Sequence, residues 1–396
     1  MTEHLMSTYA RLPVSFSHGE GTWLIDEDGH RYLDALSGIA VCGLGHSHPA
    51  VTQALADQAS KLMHTSNLYQ IPLQEKLADR LCSISGMDRV FFGNSGAEAN
   101  EAAIKLARRY GHHRGVENPH IVVMEGAFHG RTMATLTATG NRKVQAGFEP
   151  LVSGFIRVPF DDIDAVRQIA QHHHEVVAVL VEPVQGEGGV RIPHADYLDE
   201  LRQVCDQHSW LLMLDEIQTG MGRSGRWFAF QHGQSEPDVI TLAKSLGNGF
   251  PIGACLARGS AAEVFQPGNH GSTFGGNPLA SRVGLAVVET IASEGLSSRA
   301  ARMGSQLMDQ IKTCLDPLGV VRDYRHKGLL LGIELDRDCS EIMRSALDER
   351  LLVNVTAGNV IRLLPPLTLR DEEASELTQR LTRTVERFLS QKAASK

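Results

Sequence analysis

The sequence predicts an α/β fold with a largely parallel sheet that helices cover on both faces. The first observation is that its strand-length runs, such as Val176–Val181, are continuously apolar rather than alternating. The second is that segments with helical spacing, such as Tyr197–His208, separate these runs. The third is the length of 396 residues, which suggests two or three domains rather than one core.

The first 60 residues are predicted to form an arm and part of a small domain. Residues 1 to about 20 are polar and suit an arm. Residues 21–38 predict two short strands joined by a turn at Asp28 and Gly29, because that dipeptide favours tight hairpins. Pro49 then predicts the start of a helix, where its missing N–H costs nothing.

A regular alternation of strands and helices follows, and it predicts a large domain over residues 61–285. Helices are expected at residues 97–110 and 197–208. The strands of this domain are expected at Arg89–Phe92, Ile121–Met124, Val176–Val181, Leu211–Leu214, Asp238–Ala243 and Ala254–Ala257. Helices after residue 278, short strands at 329–335, 351–355 and 360–364, and a terminal helix at 372–389 predict a smaller α+β domain over residues 286–396.

Composition excludes several classes of protein. The formal net charge of −8 leaves no basic excess to neutralise phosphates, so nucleic acid is not expected as the main partner. The six cysteines are scattered without a CxxC pair, which favours reduced thiols over a disulfide framework. Because the chain opens without a signal-peptide pattern and has no apolar run near about 18 residues, a cytoplasmic location is predicted.

Lys244 ends the β-branched run Val239–Ala243 and is followed at once by a glycine-rich segment. This pattern predicts a strand that delivers an amine to a loop-lined cleft. A partly desolvated amine has a lowered pKa and can attack a carbonyl. The alternative is a strand-end lysine that reaches water, and most lysines are of that kind.

The segment Gly93–Ala103 joins a strand to a helix. Ser95 and Glu98 have the spacing of a capping box, which is itself a sufficient reason for both residues. The free amides of Gly96 and Ala97 at the positive end of the helix would also hold a phosphate. The segment lacks the P-loop pattern, and it misses the hydrolase elbow G-x-S-x-G because Ala97 replaces the second glycine.

Other candidate residues follow predicted strands or lie in loops near them. Phe128 can stack on a flat ring and Arg131 can bind a carboxylate, although a buried aromatic and a surface arginine would fit equally well. Asp215 directly follows four apolar residues, where a carboxylate needs a cation or an N–H partner. A metal-binding Asp-Glu pair is weakly supported, since no histidine or third acid lies close in sequence. The remaining candidates are Glu182, Glu187, Gln218, Ser272, Thr273 and Arg362, the last of which could equally be a solvated strand-edge charge.

Together these segments provide what pyridoxal 5'-phosphate requires. A strand-end lysine bonds to the aldehyde, and an aspartate keeps the pyridine nitrogen protonated. An aromatic side chain stacks on the ring, while amides and hydroxyls hold the phosphate. Because the carboxyl ends of parallel strands meet at one edge of a sheet, these segments are expected to converge on one crevice.

Seven segments resemble the signature blocks of the class III aminotransferases, in the same order and with the same spacing. They are SGAEANEAAIKLAR, AFHGRT, EPVQGEGG, LDEIQTGMGRSG, TLAKSLGNGFPIGA, GSTFGGNPLA and IRLLPPL. The resemblance extends from about Tyr9 to the terminal helix, and Ser224 departs from it where threonine is common. It implies the pyridoxal-phosphate fold type I, a homodimer with active sites at the subunit interface, and an acetylated ornithine and 2-oxoglutarate as substrates in arginine biosynthesis.

The resemblance also implies a role for each matching residue. Lys244 and Asp215 are the catalytic pair, in which Lys244 carries the cofactor and moves the substrate proton. Thr273 is expected to reach the phosphate from the partner subunit. Arg131 and Ser272 match positions at the acetylornithine carboxylate, Arg362 binds the α-carboxylate of glutamate, and Glu187 neutralises Arg362 when the other substrate is bound. The cofactor-binding positions are Ser95, Gly96, Ala97, Phe128, Asp215, Gln218, Lys244 and Thr273.

Several alternatives stay open at this point. Related enzymes that act on ornithine, succinylornithine, succinyl-diaminopimelate or 4-aminobutyrate share the cofactor residues, so one sequence does not resolve the acyl pocket. A serine hydrolase built on Ser95 is disfavoured by Ala97 and by the capping box. A non-catalytic binding protein would carry no cofactor when purified.

Overall fold

The computed structural model describes residues 4–394, with side chains described as far as Gln391. Its strands are β1 Phe16–Glu20, β2 Trp23–Asp26, β3 Arg31–Asp34, β4 Arg89–Gly93, β5 His120–Met124, β6 Phe155–Val158, β7 Val176–Val181, β8 Leu211–Asp215, β9 Val239–Leu242, β10 Gly253–Ala257, β11 Val321–Lys327, β12 Leu330–Leu335, β13 Leu351–Leu352, β14 Asn354–Thr356 and β15 Val360–Leu363.

The helices alternate with these strands through the middle of the chain. They are α1 Ser37–Ala40, α2 Pro49–Ala59, α3 Pro72–Ser85, α4 Gly96–His113, α5 Met133–Ala138, α6 Arg142–Gln145, α7 Ile163–His172, α8 Tyr197–His208, α9 Gly259–Ala262, α10 Pro278–Ser293, α11 Leu296–Leu315, α12 Ile342–Asp348 and α13 Asp371–Ala394. The short element α1 is a left-handed turn, since φ is positive at each of its residues.

A seven-stranded sheet forms the centre of the molecule, in the order β4-β10-β9-β8-β7-β5-β6. The five strands from β9 to β6 run parallel, and β10 is antiparallel to both β9 and β4. Every residue of β7, β8, β9 and β10 is buried, as expected for strands covered on both faces. The predicted α/β fold with a mostly parallel sheet is therefore confirmed.

Two four-stranded sheets lie outside this centre. One has the order β1-β2-β3-β13 and brings Leu351 of the last third opposite Leu33 near the N-terminus. The other has the order β11-β12-β15-β14 and carries Arg362 in β15. Strand β1 falls within the segment predicted as an arm, so that prediction is wrong for residues 16–20. The exact domain boundaries at residues 60 and 285 stay a prediction.

Two further observations concern the chain as a whole. All six cysteines are free thiols, in agreement with the predicted reduced state. Between residues 4 and 394 there is no helix with the length and apolar character needed to span a bilayer.

Candidate active site

A cavity of about 400 Å³ lies where the parallel strands end. Its wall includes Asp215 at the last position of β8 and Glu182 directly after β7. The segment after β9 and the start of α4 close its other sides. The predicted site residues that line this cavity are Ser95, Gly96, Ala97, Phe128, Arg131, Glu187, Asp215, Gln218 and Lys244.

Lys244 lies two residues after β9, in a short 3₁₀ turn, and its backbone φ is +45°. A residue with a Cβ is strained in this region, and such strain is typical of functional positions. Backbone hydrogen bonds hold the turn, with Gly247 donating to the Lys244 carbonyl at 3.1 Å. Burial lowers the pKa of the Lys244 amine, and the cationic Arg362 lowers it further. The amine is thereby brought closer to its neutral, nucleophilic form at physiological pH.

The Asp215 carboxylate is almost fully buried and has partners at both of its oxygens. Its Oδ2 accepts a hydrogen bond from Asn100 Nδ2 at 2.8 Å and contacts His129 Nδ1 at 2.8 Å. Its Oδ1 accepts from the Ile217 amide at 3.1 Å. Thr241 fixes Asn100 in turn, because its hydroxyl donates to Asn100 Oδ1 at 2.7 Å. These contacts hold the carboxylate in one orientation beside the cavity.

The start of helix α4 faces the cavity with Gly96 and Ala97. The first amides of an α-helix have no acceptor within the helix and therefore bind anions well. The predicted capping box forms only in part: Ser95 Oγ accepts from the Glu98 amide at 3.2 Å, but the Glu98 carboxylate accepts from the amide of Asn94 rather than of Ser95. Glycine is required at Gly253 of β10, because a Cβ there would lie 2.2 Å from the Ser95 carbonyl oxygen.

Phe128 lies on the loop after β5 and lines the cavity. Its amide donates to Glu182 Oε2 at 2.9 Å, and the other oxygen of Glu182 accepts from the Gly186 amide at 3.3 Å. Glu182 therefore ties the Phe128 loop to the loop that carries Glu187. Burial raises the pKa of Glu182 to about 7. The Arg131 guanidinium lies 5.8 Å from the Phe128 ring centre and points its charge towards the same cavity.

Arg362 is fully buried in β15 and reaches the cavity through two of its lining residues. Its NH1 forms an ion pair with Glu187 Oε1 at 2.7 Å and donates to Gln218 Oε1 at 3.2 Å. Its Nε donates to Asn354 Oδ1 at 3.1 Å, across the pairing of β14 with β15. The Glu187 side chain is 37% exposed, whereas that of Arg362 is fully buried, so the two partners of this ion pair differ in their access to solvent.

Ser272 and Thr273 do not line the cavity of this chain. Ser272 Oγ accepts from Asn94 Nδ2 at 3.2 Å, which places it behind the cavity wall. Thr273 is exposed, next to the exposed ring of Phe274. Within the single chain, the structure thus separates these two hydroxyls from the other predicted residues.

Several residues of the site are absent from the prediction. Asn100, His129 and Thr241 around Asp215, and Asn354 beside Arg362, act through the side chains that they hold. The sequence contains one usable signal, because His129, Thr241 and Asn100 each lie within three residues of a predicted site residue. That Asn100 contacts Asp215, and that Asn354 contacts Arg362, depends on the fold.

The cavity fits a phosphorylated aromatic aldehyde. An amine with a lowered pKa, a buried carboxylate, an aromatic ring and the N-terminus of a helix all line this one cavity. Each group suits one part of such a molecule: the aldehyde, the ring nitrogen, the ring face and the phosphate. This combination, at the strand ends of a parallel sheet, defines the pyridoxal-phosphate transferases of fold type I.

The comparisons with known proteins agree with this class. The family model described as aminotransferase class-III matches residues 6–385, and the chain belongs to that family. Acetylornithine aminotransferase from Nitrosomonas europaea is 58% identical over 98% of both chains. N-acetylornithine aminotransferase from Stenotrophomonas maltophilia superposes with a TM-score of 0.84 at 36% identity, covering 97% of this chain and 98% of the other. Ornithine aminotransferase from Toxoplasma gondii, whose structure has partial occupancy of pyridoxal phosphate, superposes with a TM-score of 0.95 at 33% identity over 98% and 93%.

The protein is therefore a class III aminotransferase, and the enzymes of this family use pyridoxal phosphate. The structural neighbours include enzymes named for ornithine and for acetylornithine, so likeness of fold does not distinguish the two amines. The relative at 58% identity is named for the acetylated amine.

Proposed function

We propose that this enzyme transfers the terminal amino group of N2-acetyl-L-ornithine to 2-oxoglutarate. The products are N-acetyl-L-glutamate 5-semialdehyde and L-glutamate, and the reaction belongs to arginine biosynthesis. The observation that carries the proposal is the Arg362–Glu187 ion pair beside Lys244, because it can serve two substrates with different groups near the reacting carbon. The names of the relatives support the acetylated amine.

Bound pyridoxal phosphate supplies a protonated ring that draws electrons away from the reacting carbon of the substrate. Asp215 keeps the ring nitrogen protonated, since its carboxylate is held by Asn100 and His129 and stays in place. Phe128, which lines the cavity, would cover one face of the ring. Ser95, Gly96 and Ala97 hold the phosphate with helix-start amides and a hydroxyl, and Gln218 lies near the ring hydroxyl.

Lys244 acts twice in this proposal. Its Nζ would hold the cofactor covalently, and as a free neutral amine it would take a proton from one carbon and return it to another. Both tasks need an unprotonated amine at working pH. The lowered pKa of Lys244 in its buried position supports this role.

Arg362 and Glu187 would divide the two half-reactions between them. When glutamate or 2-oxoglutarate is bound, Glu187 moves aside and Arg362 binds the α-carboxylate with its planar fork. When acetylornithine is bound, its reacting carbon carries the amino group but no carboxylate, so Glu187 would pair with Arg362 and neutralise it. Arg131, which lines the cavity, would then bind the carboxylate at the far end of acetylornithine. Ser272 does not line the cavity of its own chain, so it would take part in this contact only from a second copy.

A homodimer is part of the same proposal. Thr273 is exposed and apart from the cavity, whereas its proposed task is to hold the phosphate, so it would act on the cavity of a second copy. The surface around it supports this arrangement: Leu68 is 88% exposed, Tyr69 is 69% exposed and Phe274 is 59% exposed. Large apolar side chains of this kind typically become buried in an interface. A cytoplasmic location is in keeping with the six free thiols.

The decisive experiment measures the amino donors side by side. Holoenzyme is supplied with acetylornithine, succinylornithine, ornithine, succinyl-diaminopimelate and 4-aminobutyrate, each with 2-oxoglutarate. The highest kcat/KM is expected for acetylornithine, and a clear preference for another donor would replace the substrate in this proposal. The mass in solution, measured in the same preparations by light scattering, is expected to be twice the 43.2 kDa of one chain.

Lys244→Ala tests the chemistry itself. The variant is expected to lose turnover and to form no covalent adduct after borohydride reduction, because no other amine replaces Nζ. The exposed Lys143→Ala serves as a matched control and should behave as wild type. Normal turnover in Lys244→Ala would remove the assignment of this lysine.

A further inference from the structure

Arg223 is a buried cation outside the cavity that the proposed chemistry does not use. It is 1% exposed, and its Nε and NH2 have no hydrogen-bond partner among the described side chains, which also place no carboxylate against it. Burial lowers the pKa of its guanidinium to about 9. Because burying an unpaired charge is costly, a role for the guanidinium that an apolar side chain could not fill is expected.

The contacts of Arg223 lie at the ends of two adjacent strands of the small sheet. Its NH1 donates to the Leu329 carbonyl at 3.0 Å and to the Pro365 carbonyl. Leu329 directly precedes β12, and Pro365 lies two residues beyond β15. These strands are antiparallel with Leu331 opposite Leu363, so both carbonyls are at the same end of the pair.

A guanidinium suits this place for a chemical reason. Pro365 and Pro366 have no N–H, so neither can donate a hydrogen bond at the end of the ladder. One nitrogen of Arg223 donates to both carbonyls instead. The backbone completes the attachment, since the Leu329 amide donates to the Arg223 carbonyl at 2.9 Å.

The same loop also contacts Arg362. Gln218, five residues before Arg223, accepts from Arg362 NH1. The two ends of the loop are joined internally, because the Ser224 amide donates to the Thr219 carbonyl at 3.3 Å. The loop after β8 therefore contacts β15 at its arginine and, three residues further along the chain, at Pro365.

From this geometry we infer that Arg223 is a positioning residue. It fixes β15 against the loop after β8, and thereby holds the Arg362 guanidinium at the position where it binds the α-carboxylate of the substrate. The inference rests on the proposed function, because Arg362 is there the group that binds glutamate and 2-oxoglutarate. It assigns to Arg223 an effect on one half-reaction only. Acetylornithine does not use Arg362, so its half-reaction should be insensitive to a small displacement of β15.

The test uses Arg223→Lys and Arg223→Gln as holoenzymes, with exposed Arg226→Lys as the matched control. Each half-reaction is followed separately in single turnovers by the cofactor absorbance. In both Arg223 variants the concentration of glutamate giving half-maximal rate is expected to rise about 10- to 100-fold, as for a small misplacement of a binding group. The rate and the concentration dependence of the acetylornithine half-reaction are expected to change less than about twofold, as for sites that do not interact. The cofactor spectrum should stay as in wild type. Arg226→Lys should match wild type throughout.

A second measurement separates positioning from general support of the fold. In an Arg362→Ala background, adding Arg223→Lys should leave the glutamate dependence unchanged, because the group through which Arg223 acts is already absent. Equal losses in both half-reactions, additive effects in the double variant, or no effect of either Arg223 substitution would overturn the inference. If wild type itself shows no glutamate half-reaction, the proposed function fails instead, and this outcome is distinct from the others.

Discussion

Two of the three carboxylates that line the cavity, Asp215 and Glu187, are held in opposite ways. Asp215 ends a strand of the central sheet and accepts hydrogen bonds from Asn100, from the Ile217 amide and from His129. Glu187 lies in a loop and forms an ion pair with the buried Arg362. One is 4% exposed and the other 37%. In the proposed function, this difference separates Asp215, which stays in place, from Glu187, which has to move.

This contrast follows from where the two residues lie in the fold: Asp215 ends a strand of the central sheet, and Glu187 lies in a loop that faces the small sheet. The central sheet is shared by all steps of the reaction, so its side of the site can be built rigidly from strand ends and buried amides. In the proposed function, the side formed by the small sheet has to accept an α-carboxylate in one half-reaction and a CH2 group without a carboxylate in the other. A loop carboxylate opposite a fixed arginine meets this demand, because the exposed partner can leave without uncovering new apolar surface.

Removing the charge of Asp215, on the side of the site formed by the central sheet, is expected to reduce turnover the most. Asp215→Asn keeps the shape and the contact with Asn100 but no longer stabilises a protonated ring nitrogen. Turnover should fall about 10²- to 10³-fold in both half-reactions, as for the loss of one fixed electrostatic group. The measurement is single-turnover kinetics with each substrate, with thermal unfolding as the control for folding.

Wild-type turnover in Asp215→Asn would contradict the role of this carboxylate. An unequal loss, confined to one half-reaction, would contradict the comparison, because Asp215 would then serve one substrate rather than the cofactor common to both. An unchanged melting temperature with lost activity would place the effect in the chemistry.

The same contrast explains what the sequence predicts well. Lys244 and Asp215 stand directly after buried apolar runs, and the carboxyl ends of parallel strands meet at one edge, so their convergence follows from the alternation alone. The structure brings both to the cavity. The seven-stranded sheet could be predicted in the same way, apart from β6, whose short run at Phe155–Val158 has no distinguishing pattern.

The supporting residues could not be predicted from the residues themselves. Asn100 lies within helix α4, and no local pattern indicates that its amide reaches Asp215, 115 positions along the chain. Asn354 meets Arg362 only through the register of β14 on β15, which depends on the turn between them. Thr273 cannot be connected to the cavity within one chain at all. Local pattern thus predicts strand ends, whereas side-chain partners depend on tertiary packing.

On the side of the site formed by the small sheet, Arg362→Ala is expected to have an effect of intermediate size that differs between the two half-reactions. Losing a charge-assisted contact to the substrate costs about 2 to 3 kcal/mol, which is about 30- to 150-fold in affinity. The loss should appear in the glutamate and 2-oxoglutarate steps and be within about threefold of wild type for acetylornithine. The measurement is the concentration dependence of each half-reaction, and Arg226→Ala, exposed on the same chain, is the control.

Equal losses in both half-reactions would contradict the division of labour between the two sides of the site. A loss confined to acetylornithine would reverse it, and would assign Arg362 to the far carboxylate of that substrate in place of Arg131.

Glu187→Gln should produce the smallest effect and should act in the direction opposite to Arg362→Ala. Without its counter-charge, Arg362 stays available to carboxylates and stands unneutralised beside the methylene of acetylornithine. The acetylornithine half-reaction is therefore expected to slow by about tenfold, since a partly exposed ion pair contributes on the order of 1 kcal/mol and the uncompensated buried cation adds to it. The glutamate half-reaction should be unchanged or faster, because the α-carboxylate of the substrate no longer competes with the Glu187 side chain for the Arg362 guanidinium.

Both rates are measured in single turnovers at one pH. Glu182 is left intact, so that it still joins the loop of Phe128 to the loop of residue 187. If Glu187→Gln instead slowed the glutamate step, Glu187 would be a fixed support of Arg362 like Asn354, and the contrast with Asp215 would no longer hold.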